Sequence, residues 1–81
     1  MVKSMPDAIL YGVVLFHTSS AALRAEKVLL KHGFSIKMIP TPREFSSDCG
    51  VSLRFNWKEE AQVRTLLESA QVELGSIHAM Q

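Results

Sequence analysis

Along residues 11–17, YGVVLFH, apolar side chains fill both alternating faces, the pattern of a central strand covered on two sides. The period then changes. Thr18, Ser19 and Ser20 offer N-cap side chains, residues 21–32 mix alanine, leucine and charge at helical spacing, and Gly33 follows as a left-handed cap. The inward stripe of this helix is predicted to be Ala21, Ala25, Val28, Leu29 and His32. Residues 35–39 read as a short strand with Ile36 and Met38 on one face, stopped by Pro40 and followed by a loop over 41–50. Alternation is clean over 51–55, with Val51, Leu53 and Phe55 inward and Ser52 and Arg54 outward. Asn56 with Glu59 has the form of a capping box, and Val63, Leu66, Leu67 and Ala70 give the stripe of a second helix. Trp57, beside that cap, reads as a lid over the core. Residues 72–80 supply a last strand, with Gly75 at a bulge.

The order strand, helix, strand, strand, helix, strand, joined by right-handed crossovers, predicts an α+β, ferredoxin-like βαββαβ two-layer sandwich. Both helices would lie on one face of an antiparallel sheet of order 4132. Residues 1–10 are assigned to an N-terminal extension and 11–81 to a single domain, since 81 residues suffice for one two-layer core. In this topology strands one and three are central neighbours, so His17 and Val51 meet at one edge. Cys49 is thereby expected near Thr18, Ser19 and Ser20, at the amino end of the first helix. Apolar residues on both sides of strand one also imply that the open sheet face is covered, by a second copy in a homodimer or by a partner.

Composition removes several classes of function. Hydrophobic residues make up 47% and charged residues 21%, a folded rather than disordered balance. The net charge of +1 creates no field that gathers phosphates, so no nucleic-acid partner is expected. A sheet that stacks RNA bases shares this element order but needs outward aromatics where strand three offers Ser52 and Arg54. The run 8–16, AILYGVVLF, has the length of a signal-peptide core, yet Asp7 offsets Lys3 before it and it reads equally well as a buried strand. It is too short to span a bilayer, and no membrane association is expected. One cysteine forms no internal disulfide, and with three scattered histidines it lacks zinc-site spacing. A reducing cytoplasm, no metal and no cofactor follow as expectations.

What remains is the placement of the lone thiol in IPTPREFSSDCGVSLRF, a polar loop bounded by proline and glycine, where free cysteine is usually buried. Beside a helix amino terminus a thiol ionises more readily than its reference value of about 8.5 suggests. Arg43 would add a cation, Ser46 and Ser47 would donate hydroxyls, and Gly50 would let backbone approach whatever Cys49 carries. Asp48 opposes ionisation unless it turns away to cap the turn or pair with Arg43. Thr18, Ser19 and Ser20 read as helix caps ahead of contacts to a bound anion, although one residue can do both because caps and anion sites use the same N–H groups.

The combination of FHTSSAALRAEKVLLKHG with the proline-threonine-proline-arginine and serine-serine-aspartate-cysteine-glycine runs resembles the small selenium/sulfur carrier-like domains. That resemblance implies that Cys49 holds sulfur or selenium as a persulfide or selenopersulfide. A donor such as a cysteine desulfurase would load it and an acceptor enzyme would unload it, the protein being a carrier rather than a turnover enzyme. The competing reading is a non-catalytic ligand-binding or dimerisation module in which Cys49 is structural. A Cys49–His17 hydrolase is the third, and it lacks an orienting third group. His32 and His78 carry no legible role, and Glu26 reads as a solvated helix charge.

Overall fold

Strand β1 (Tyr11–Leu15) lies inside a four-stranded antiparallel sheet, between β3 (Val51–Asn56) and β4 (Ser76–Ala79), with β2 (Ile36–Pro40) outside β3. The computed structural model describes residues 10–45 and 50–80. Helices α1 (Ser19–Lys31) and α2 (Glu60–Ser69) supply the second layer. The order β2-β3-β1-β4 is the expected 4132 read from the other edge, and the α+β ferredoxin-like architecture holds.

Strand register assigns the two faces. Val14 pairs with Leu53 and Gly12 with Phe55, and with Phe16 these residues meet Ala22, Ala25 and Leu29 of α1 and Val63 and Leu67 of α2 in one buried core. The other parity, Val13 opposite Arg54 and Leu15 opposite Ser52, looks away from the helices. Glycine at position 12 is required by this packing. A Cβ there would sit 2.5 Å from Phe55 Cζ and 2.6 Å from Trp57 Cε3, so the two rings cross the β1 backbone where a side chain would stand. Trp57 does act as the expected lid, tilted against Phe55 at a centroid distance of 6.0 Å.

Caps decide where the helices begin and end. The Thr18 hydroxyl accepts from the Ala21 N–H at 3.1 Å, satisfying one of the otherwise unpaired amides of α1. At the other end Phe34 N–H donates to Leu29 O and Gly33 N–H to Leu30 O, a Schellman closure with Gly33 at φ +83°. Helix α2 closes identically through Val72 N–H to Leu67 O and Gln71 N–H to Glu68 O, but with Gln71 at φ +59°. Because the Val72 amide is spent on that closure, the last strand starts at Ser76 and not at residue 72. Gly75 is not in a bulge; it precedes β4, with its N–H on Leu15 O and a hypothetical Cβ only 3.1 Å from the same oxygen.

Two further expectations are corrected by local geometry. Asn56 caps the Lys58 N–H of a 3-10 turn, Trp57–Glu59, and α2 proper begins at Glu60. His32 is exposed at the end of α1, where its Nδ1–H donates to Val28 O, and is not part of the inward stripe. Pro40 continues β2 as far as its pairing with Val51, which an edge strand tolerates because the missing N–H costs no ladder bond on the outer side.

Candidate functional site

Antiparallel pairing of Leu15 with Ser52 brings the end of β1, and therefore the start of α1, to the same end of the sheet as the start of β3. The connection that carries Cys49 enters β3 there. Its two ends are tied: Thr41 N–H donates to Gly50 O at 3.0 Å, and the Thr41 and Ser52 hydroxyls share a hydrogen bond of 2.8 Å. Ser52 is 0% exposed although its side chain points away from the helices. Its hydroxyl is therefore a buried polar group that has found a partner, as burial demands.

The described part of this connection crosses the open face of the sheet. A turn from Pro42 to Phe45, closed by Phe45 N–H to Pro42 O, carries the chain from the edge at β2 far enough that Phe45 stacks on His78 of β4. The ring centroids are 4.8 Å apart and the planes 19° from parallel. On the same face of the sheet Val13 and Leu15 are buried. His78 also bonds Ser76 Oγ through Nε2 at 2.9 Å, so the ring under Phe45 is held from both sides.

The candidate residues fall into three groups. Cys49, Ser46, Ser47 and Asp48 lie outside the described residues. Arg43 is exposed at the tip of the Pro42–Phe45 turn, and Gly50 is exposed at the mouth of β3. A Cβ added at Gly50 meets nothing within 4 Å, so packing among the described residues does not require glycine there. Thr18 and Ser19 are exposed at the start of α1, whose first turn holds no acidic side chain, and Thr18 is engaged as the cap. His17 lies beside Gly75, with Nε2 3.6 Å from the Cβ position there. Glu26, midway along α1, is on the opposite side of the sheet from the 41–45 arm, which supports the solvated reading.

Phe45 and His78 are the residues that pattern reading missed. The signal was present: Val13 and Leu15 needed a cover, and Phe45 was the aromatic inside the ten-residue loop. On the uncovered part of the same face the Arg54 guanidinium sits 4.3 Å from the centroid of Tyr11. The one aromatic that β1 offers on this face is thus occupied by its own chain.

Elsewhere, an open groove of about 510 Å³ runs between the end of α1 and the flank of α2, lined by His32, Phe34, Gln62, Thr65, Leu66 and Ser69 among others. It is at the end of α1 remote from Thr18. Among the described residues no group of three His, Cys, Asp or Glu side chains is gathered to hold a metal ion, and no helix is long and apolar enough to cross a membrane.

Residues 11–79 match the family described as "Putative Se/S carrier protein-like". The chain belongs to this family. The match runs from the first residue of β1 to the last of β4, so it covers the whole sandwich and not the cysteine loop alone. The family description names carriage of selenium or sulfur, in agreement with the resemblance seen in the two quoted motifs. No curated protein and no solved structure matches the chain.

Proposed function

We propose that the protein is a cytoplasmic carrier that holds sulfur or selenium on Cys49 as a persulfide or selenopersulfide. The observation that carries this reading is the family match over the entire fold in a chain with a single thiol. In loading, the Cys49 thiolate attacks the terminal sulfur of a donor persulfide, such as that of a cysteine desulfurase. The new S–S bond forms as the donor's S–S bond breaks, and the donor cysteine leaves as thiolate. In unloading, an acceptor nucleophile attacks the same terminal atom and Cys49 departs as thiolate. Selenium follows the same two displacements. Arg43, Ser46, Ser47, Asp48 and Gly50 would surround the carried atom, and the amides at Thr18 and Ser19 would favour its anionic form. The capped, acid-free first turn of α1 at the β3-start end of the sheet supports that arrangement.

The test is intact-mass measurement after incubation with a cysteine desulfurase and cysteine. A gain of one sulfur atom, removed by reductant and absent from Cys49→Ser, is expected. A wild-type mass that stays unchanged, or an adduct that survives Cys49→Ser, would refute the carrier reading.

A further inference from the structure

The helix layer carries a feature that the fold does not use. Leu23 and Leu30 are 52% and 54% exposed, on the side of α1 away from the buried Ala21, Ala22, Ala25 and Leu29. Seven residues apart, they project within about 20° of one another and about 10 Å apart along the axis. Exposed Arg24, Lys27 and Lys31 flank them on one side, and Glu26 is the single carboxylate of the helix. We infer that this outer face of α1 is a docking surface for a protein partner presenting an apolar ridge edged with carboxylates.

The pattern selects this occupant over others. Two leucines one heptad apart fit between the side chains of a partner helix or into a shallow apolar groove. The lysines and arginine would meet carboxylates at the rim, where charge guides encounter and excludes wrong partners. A second copy is disfavoured, because antiparallel pairing of α1 about a two-fold axis would set Lys27, near the helix midpoint, against its own symmetry mate. A membrane surface is disfavoured because the three cations fall short of the clusters of about 4–8 that hold a helix on anionic lipid. The face lies on the opposite side of the sheet from the Phe45 arm, so a docked partner leaves that arm clear. This inference does not depend on the sulfur chemistry of Cys49.

The test is an amide NMR titration of the intact protein with two synthetic helix-forming peptides. Both carry leucines at i, i+3 and i+7, one flanked by glutamates and the other by lysines. The glutamate peptide is expected to shift the amides of 20–31 and to bind less well as salt rises. Leu23→Gln and Leu30→Gln, which keep good helix propensity, should each weaken it about 3- to 12-fold, the value of burying the exposed half of a leucine. Lys27→Glu should weaken it further. Binding of neither peptide, equal binding of both, or affinity unchanged in Leu30→Gln would overturn the inference. So would partition onto phosphatidylserine vesicles, or self-association of the protein alone that Leu30→Gln abolishes.

Discussion

Substituting Gly12 by alanine adds one methyl group at the tightest point of the core. The new Cβ would stand 2.5 and 2.9 Å from Phe55 Cζ and Cε1 and 2.6 Å from Trp57 Cε3, against an ordinary carbon–carbon separation of about 3.5–4.0 Å. An overlap near 1 Å on two rings cannot be absorbed by Phe55, which is 1% exposed and hemmed by the core. Trp57 is partly exposed and must swing outward, opening the lid. Overpacking of this kind costs about 1–3 kcal/mol, and the reduced freedom of the unfolded chain offsets about 0.4–1 kcal/mol of it. A net loss of about 1–2 kcal/mol, or about 5–15 °C in Tm for a domain of this size, is expected in thermal unfolding followed by circular dichroism. The decisive comparison is Gly12→Ala in a Phe55→Leu background. Shortening the ring makes room for the methyl group, so the double variant should be more stable than the two single losses added together. An unchanged or raised Tm for Gly12→Ala, or strict additivity in the double variant, would show that the rings do not occupy the space over β1.

Gln71→Gly should stabilise the protein by about 0.5–1 kcal/mol, because glycine takes the left-handed φ of +59° without the Cβ penalty that glutamine bears there; a chemical denaturation midpoint that fails to rise removes that account of the α2 terminus. Phe45→Ala and His78→Ala should each destabilise the fold, and their double-mutant cycle should return a coupling of about 0.5–1.5 kcal/mol for the stacked pair. Zero coupling in thermal melts would mean that the 41–45 arm does not rest on β4.

Much of this architecture is legible in the residues because local and global preferences agree. The two-period of 51–55 and the helical spacing after Thr18 give the elements, and the crossover rule then leaves little choice of sheet order. The errors share one cause, the backbone bonding at element ends. Residue 72 has strand-like company, yet its amide closes α2; Asn56 caps, but a 3-10 turn instead of the helix; His32 fits the helical stripe, yet bonds back to Val28. Such bonds depend on one or two dihedral angles that periodicity does not encode. The site is legible to a different degree. The motif around Cys49 points to the family, but Phe45 and His78 are 33 positions apart in sequence, and no local pattern joins them.

The length of the 41–50 connection follows from the same pairing. Antiparallel neighbours such as β2 and β3 need a connection of only about 2–5 residues, so a ten-residue link has work beyond reversing the chain. Its described part, residues 41–45, lies over the open face. Among the described residues one layer of helices is present, and β1 is apolar and buried on both faces, so the side away from the helices needs a seal as well. Phe45 over His78, with Thr41 bonded to both Gly50 and Ser52, provides part of that seal. The segment bearing the single thiol is thereby continuous in sequence with an arm packed on β4. Drawing residues 41–45 away from the sheet would break the Phe45–His78 stack and the Thr41–Ser52 hydrogen bond, at a cost of about 0.5–1.5 kcal/mol for each. That cost limits how far the connection can travel.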